Sequence, residues 1–282
     1  MTSISETIKY TNATVDKLYL DSRQMRIIQW LSAPDPSTNY NKALQQRHKG
    51  SGLWLLRSKV FAEWKARPKS FVWLYGIPGC GKTILSSSII EHLKSGRTQP
   101  LLYFYFDFSN NDKQTLESLI RSLISQLYCT REGAQQPLNS LFSSCNEGRS
   151  QPSCESLCKL LLQMMEKAKE VWIVLDALDE CGTRKGSTTE GLLSWIRDLV
   201  TLEQRNVHLL VTSRPEQDIQ SGLSGLVHEK DTVLIQSGLV SDDIHAYIHT
   251  KVRESDGLRR WKKHPDIQDE IETTLIEKAN GM

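Results

Sequence analysis

Trp73-Leu74-Tyr75-Gly76-Ile77-Pro78-Gly79-Cys80-Gly81-Lys82-Thr83 decides how the rest of the chain is read. Phe71 to Tyr75 is an apolar run that reads as a buried strand. Gly76 to Thr83 then repeat the spacing of a phosphate-binding loop: glycine, four residues, Gly-Lys-Thr. Glycines at 76, 79 and 81 let the backbone turn sharply and aim its N–H groups inward, with Ile77, Pro78 and Cys80 between them. In this pattern Lys82 lies against the β- and γ-phosphates and Thr83 offers a hydroxyl to Mg²⁺. The helix expected over Ile84 to Lys94 points the positive end of its dipole at the same anion. Glycine-rich turns follow many strands, but the full motif with a strand before and an amphipathic helix after is far rarer. Nucleotide binding is therefore the expectation.

The chain has 282 residues and a net charge of +2 from 35 basic and 33 acidic side chains, so no global charge argues for a nucleic-acid or membrane surface. No apolar run approaches the ~20 residues that span a bilayer, and Met1 to Glu6 lacks the features of a signal peptide. The expectation is a cytosolic or nuclear protein, with the cytoplasm as the assignment and neither nucleic acid nor membrane as a partner. Cysteines 80, 129, 145, 154, 158 and 181 fit reduced thiols. Cys154 and Cys158 lie one helical turn apart without a second pair beside them, and His245 and His249 lack the Glu of the zinc-protease pattern. The first pair reads as buried thiols and the second as a polar helix face. Cys80, at a helix start beside Lys82, is expected to be alkylated faster than the other five and to be protected by nucleotide.

Outward from the loop, residues 1 to 14 read as a frayed terminus, and Val15 to Leu31 as one or two helices broken near Asp21-Ser22. Ser37 to Gly52 reads as a polar connector. Leu53 to Trp64 is expected as one helix carrying Trp54, Phe61 and Trp64 on a stripe. Downstream, Ser95-Gly96 closes the first helix, Leu101 to Phe108 is a strand, and Leu116 to Leu127 is an amphipathic helix. Gly133 to Pro152 is a looser stretch before a helix with Leu157, Leu160, Leu161 and Met164 inward. Val171 to Leu175 and Val207 to Val211 are buried strands, Cys181 to Gly191 a mobile surface loop, and Leu192 to Val200 a helix. A weaker strand over Thr232 to Ile235 precedes a helix begun at Ser241-Asp242-Asp243, and the last helix runs from Pro265 to about Gly281. Alternating helices and near-continuously apolar strands predict an α/β fold with a mostly parallel sheet covered on both faces. Ligands of such sheets collect at the carboxyl ends of the strands, which here carry Gly76 to Thr83, Asp107, Asp176 to Glu180 and Thr212 to Arg214.

An apolar strand ending in Asp176 is the second nucleotide-site signature, its carboxylate reaching the Mg²⁺ shell; alone, such an acid also caps ordinary turns. Asp179 and Glu180 lie just beyond, where one could orient or deprotonate a water attacking the γ-phosphate, or merely form a solvated turn. Arg214 could sense the γ-phosphate through charge-assisted hydrogen bonds, or stand as a surface arginine before proline.

Gly76 to Thr83, Asp176-Ala177-Leu178-Asp179-Glu180 and Thr212-Ser213-Arg214-Pro215-Glu216 together resemble the NACHT-domain STAND NTPases. Gly52-Leu53-Trp54-Leu55-Leu56, Phe61 with Trp64, and Phe71 to Tyr75 narrow the resemblance to the nephrocystin-like N-terminal NACHT modules of fungal NOD-like receptors. It covers roughly Leu31 to Met282. The resemblance implies a three-layer α/β P-loop NTPase that binds Mg²⁺ with ATP, or GTP, hydrolyses it slowly, and self-associates when nucleotide is bound. Effector and sensor domains would act through it in signalling of the innate-immune kind. It puts Gly76, Ile77, Pro78, Gly79, Cys80, Gly81, Lys82 and Thr83 at the nucleotide, Thr83 and Asp176 at the metal, Asp179 and Glu180 at the catalytic water, and Arg214 as the first sensor. Residues 1–52 become an N-terminal helical linker segment, 53–240 the NTPase core, and 241–282 the start of a helical subdomain that relatives continue into winged-helix and repeat domains.

Other readings differ in what they require. A P-loop GTPase would carry an Asn-Lys-x-Asp base reader, which does not follow any strand here, and a small-molecule kinase fits poorly with Asp179-Glu180 and Arg214. A nucleotide-binding scaffold with negligible hydrolysis stays open. The aromatic stripe reads first as sheet packing; the alternative, which the resemblance implies, is that Gly50, Ser51 and Gly52 bring the backbone close enough to hydrogen-bond an adenine edge.

Overall fold

The structure, a computed structural model, describes residues 22–95, 99–130, 132–187, 189–201 and 206–279. The expectations for residues 1–14, Val15 to Asp21, Gly96 and the last residues to Met282 lie outside this set. The helices are α1 (22–31), α2 (Ser37–Gln46), α3 (Leu53–Leu56), α4 (Lys59–Ala66), α5 (Lys82–Lys94), α6 (Leu116–Thr130), α7 (Gln135–Ser144), α8 (Cys154–Ala168), α9 (Leu192–Thr201), α10 (Gln217–Leu223), α11 (Ser237–Glu254) and α12 (Pro265–Lys278). The strands are β1 (Phe71–Tyr75), β2 (Leu101–Tyr105), β3 (Glu170–Asp176), β4 (Asn206–Ser213) and β5 (Thr232–Leu234).

All strand pairings are parallel, in the order β2-β3-β4-β1-β5. Apolar side chains alternate between two cores. Phe71 and Trp73 of β1, with Ile173 and Leu175 of β3, pack against α1, α6, α8 and α9. Val72, Leu74, Trp172 and Val174 pack on the opposite face against α2, α4 and α5. Burial on both faces explains the unbroken apolar runs of β1 and β3, and gives the three layers expected of the fold. Register brings the strand ends level: Tyr75 stands beside Ser213, and Tyr105 beside Asp176. Among the described residues no helix is long and apolar enough to cross a membrane.

Three segments depart from the periodicity. The expected connector from Ser37 to Gly52 contains α2, started by the Asp35 carboxylate, which accepts from the Ser37 amide and hydroxyl at 2.8 Å each. Tyr40 and Ala43 bury one face of this polar helix against α5. The looser stretch after Gly133 contains α7, whose Leu138 and Phe142 are too sparse a signal alone; Phe142 meets Trp30 edge to face at 5.3 Å. The single helix expected over Leu53 to Trp64 is two, because Ser58 turns extended and its hydroxyl accepts the Phe61 amide at 3.2 Å. Smaller differences are ends: β2 stops at Tyr105, α11 starts at Ser237, and α10 was not expected.

The aromatic stripe resolves as packing for two of its members. Trp64 is 0% exposed, crosses Trp172 edge to face at 4.8 Å and donates its indole N–H to the Leu209 carbonyl at 3.0 Å. Trp64→Ala removes both the ring and the donor for a buried carbonyl, so it should destabilise the protein by roughly 3–5 kcal/mol. Chemical denaturation followed by far-UV circular dichroism measures this, and a loss below about 1 kcal/mol contradicts the packing role.

Candidate functional site

The loop from Gly76 to Gly81 joins β1 to α5. Its first glycine is a steric requirement: a Cβ there would stand 2.7 Å from Cys80 Sγ and 3.1 Å from the Ile235 carbonyl oxygen. Gly81, at φ +87°, is the N-cap of α5. Lys82 folds back over this loop, its ammonium donating to the Gly76 and Ile77 carbonyls at 2.8 and 2.9 Å. A cation thus sits among backbone turns shaped for an anion, at the positive end of a 13-residue helix.

Asp176 ends β3 and is 2% exposed. Three hydroxyls hold its carboxylate: Ser86 Oγ and Thr212 Oγ1 donate to Oδ1 at 2.6 and 2.7 Å, and Thr83 Oγ1 donates to Oδ2 at 2.7 Å. Burial pushes its pKa up, opposed by those three bonds and by the charge of Lys82. The oxygen set of Thr83 and Asp176 suits a hard cation such as Mg²⁺. Directly after Asp176 the chain turns through the left-handed region at Ala177 (φ +58°), whose amide donates to Thr212 Oγ1 at 3.0 Å. The small residue at 177 therefore serves a turn.

Asp179 and Glu180, paired in sequence, part company here. Asp179 has both oxygens engaged with Arg214: Oδ1 accepts its amide at 2.9 Å, and Oδ2 meets its Nε at 3.0 Å. This carboxylate aims the arginine, each of its oxygens already taking one contact from Arg214. Glu180 accepts the Phe108 amide at 2.9 Å through one oxygen. Burial first, then the neighbouring Asp179, Asp176 and Asp107, push its pKa up, against the Phe108 bond. Asp107 is itself taken up by Ser109 and by Asn39 at 2.9 Å, a loop-bracing role.

Lys82, Thr83, Glu180 and Arg214 face one cavity of about 270 Å³. Beside it, a larger cavity of about 620 Å³ runs past Gly79 and Gly81 to Gly52, Asp243, Ile244 and Tyr247. The Gly52 backbone does approach this space, but its amide donates to Asp243 at 2.7 Å and is not free for an adenine edge. Nor can a side chain be added without strain, since Gly52 has φ +81° and a Cβ would stand 3.0 Å from Leu85. Cys80 corrects another expectation. Its thiol is buried against Gly76 and the Ile235 cluster, so access favours the exposed Cys129 for alkylation.

Sequence reasoning missed Ser86, although it lies three residues after Thr83 on one helix face, and Arg184. Arg184 pairs with Glu216 at 2.7 Å and Asp218 at 3.0 Å and also donates to the Asp179 carbonyl, binding the acidic turn to the start of α10. No local pattern around Arg184 announces this.

The sheet order, the glycine loop and Asp176 define an α/β protein of the P-loop NTPase class. The family model described as Nephrocystin 3, N-terminal matches residues 50–214, more than half of the chain, and the chain belongs to that family. The resemblance to nephrocystin-like NACHT modules of the STAND type stands on this match. The chain is also similar to vegetative incompatibility protein HET-E-1 of Podospora anserina, 26% identical over 246 residues, and spans 83% of itself but only 17% of that protein. Among solved structures, Cdc6p from Pyrobaculum aerophilum aligns with a TM-score of 0.40 at 13% identity, over 78% of this chain and 58% of that one.

The raised pKa of Asp176 means that the folded state binds this proton more tightly than the unfolded chain, so its charge costs stability increasingly as pH rises through that range. Asp176→Asn keeps acceptors and a donor for the three hydroxyls without the charge. The unliganded variant should be more stable than the parent at pH 7, and the gain should shrink as the pH falls. Thermal unfolding from pH 7 down through the carboxylate range measures both; a destabilised variant at pH 7 contradicts the buried-charge account.

Proposed function

We propose that this chain is a nucleotide-binding switch module that takes a nucleoside triphosphate, ATP or GTP, with Mg²⁺, hydrolyses it slowly, and self-associates in the nucleotide-bound state. The observation that carries the reading is the convergence of the Lys82 ammonium, the Thr83 hydroxyl and the Asp176 carboxylate at the carboxyl end of the sheet, Thr83 and Asp176 being 2.7 Å apart. In this reading the amides of Ile77, Gly79 and Gly81 and the Lys82 ammonium bind the phosphates, and Thr83 and Asp176 would hold the metal. Bound Mg²⁺ supplies neutralisation of the charge on the β- and γ-phosphate oxygens. Glu180, one oxygen uncommitted and its pKa raised, accepts a proton from the attacking water. Asp179 holds Arg214 toward the γ-phosphate. Residues 241–282 belong with a helical subdomain, and sensor and effector segments of a longer cytoplasmic protein would read the switch. The similarity to a vegetative incompatibility protein supports a signalling role of that general kind.

A second reading, a binding scaffold without turnover, is favoured by the engagement of Asp179 with Arg214 and of Glu180 with the Phe108 amide. Lys82→Ala should lower affinity for Mg-nucleotide by roughly 100-fold or more, since it deletes a charged donor to more than one oxygen. Calorimetric titration measures this, and light scattering should show nucleotide-dependent association lost with it; unchanged affinity removes the site assignment. Glu180→Gln should leave binding within about threefold and lower turnover by roughly 100-fold or more. Tight binding with no turnover even in the parent selects the scaffold.

A further inference from the structure

One side chain at this edge has an anchored base and a free end. Gln46 closes α2, outside the segment that the family model matches. The next residue, Arg47, pairs with Glu91 of α5 at 2.5 Å and reaches Ser88 of the same helix at 3.4 Å. At the other end of α2, Asn39 is bound between Asp107 and the buried Lys113. The helix is held at both ends. The Gln46 carboxamide, by contrast, is exposed and has no hydrogen-bond partner among the described residues. It lines the 270 Å³ cavity with Lys82, Thr83, Glu180 and Arg214, and the adjoining 620 Å³ cavity as well, whereas Gln45 lines only the larger.

We infer that Gln46 is a contact for the terminal phosphoryl group of the bound nucleotide, its carboxamide N–H donating to a γ-oxygen and its carbonyl accepting from a water beside Glu180. The inference rests on the nucleotide-binding reading above. The chemistry suits the place. A lysine here would pair with Glu180 and a glutamate would repel the phosphate, while a neutral amide offers a donor and an acceptor without either effect. The anchored backbone means that only the rotamer freedom of the side chain itself is lost when it engages.

The test compares Mg²⁺-dependent affinities of the full chain for ADP and for a non-hydrolysable ATP analogue. Gln46→Ala should weaken the analogue by roughly tenfold while leaving ADP within about twofold, because the lost bond goes to the charged γ-phosphate alone. Gln46→Glu should weaken the analogue further, and Gln46→Asn should recover part of the loss. All three should keep the parent's melting midpoint. Equal losses for ADP and the analogue would place Gln46 at the ribose or base and overturn the inference, as would unchanged affinities for both. Failure of the underlying reading looks different: the parent then binds neither nucleotide, or Lys82→Ala binds both as the parent does.

Discussion

A carboxylate withdrawn from water at the end of a buried strand needs donors, and here Asp176 takes them from two other elements. Thr83 and Ser86 of α5 and Thr212 of β4 all turn their hydroxyls onto it. Burying a charge is costly unless it is fully hydrogen-bonded, so the positions of α5 and β4 relative to β3 are strongly specified by this one group. Because Thr83 belongs to the first turn of α5, the same bonds fix where the glycine loop meets the sheet. The turn at Ala177 follows from this arrangement. Its left-handed conformation costs about 1–2 kcal/mol for a residue with a Cβ, offset in part by the bond from its amide to Thr212 Oγ1.

Beyond that group the edge divides into a braced part and an open part. Arg184, Glu216 and Asp218 clamp the acidic turn, and Asp179 locks Arg214 from both its amide and its guanidinium. Partly buried ion pairs with several hydrogen bonds are rigid because removing either partner strands the other. Lys82 and Glu180 are held chiefly by backbone groups, the carbonyls of Gly76 and Ile77 and the amide of Phe108, with the Cys80 sulfur a longer contact of Lys82 at 3.7 Å. Such bonds can be exchanged for a ligand's at modest net cost, which suits groups that must respond to phosphate.

The walls of the larger cavity come from both ends of the chain. The segment after α2 and the helix α11 face each other across it and are bridged by Asp243 to the Gly52 amide at 2.7 Å and by His48 to Thr250 at 2.9 Å. Burial raises the pKa of Asp243, with the Gly52 bond opposing. A ligand entering here meets two walls joined by these hydrogen bonds and by the packing of Val240 and Ile244 of α11 on the core around Leu85, whereas the phosphate side is set by the sheet. The family segment supplies most of the phosphate side, Gln46 joining it from the N-terminal flank, and both flanks help to line the larger cavity.

What was legible in the sequence was local. The Gly76 to Thr83 spacing, the apolar runs of β1, β3 and β4, and the acid at position 176 each specify their own conformation within a few residues, because a phosphate loop must follow a strand and doubly covered strands must be apolar throughout. Helices α2 and α7 were not legible: their apolar faces are two or three residues wide and become helical by docking on α5 and beside Trp30. The parting of Asp179 from Glu180, the clamp by Arg184 and the shielding of Cys80 were decided only in three dimensions. Each depends on a partner more than 30 residues away in the chain or on packing around a turn, as Asp179 does on Arg214, Arg184 on Glu216, and Cys80 on Ile235. Sequence spacing records which groups can be neighbours along one helix or strand; which side chain satisfies a buried charge is settled when the sheet closes.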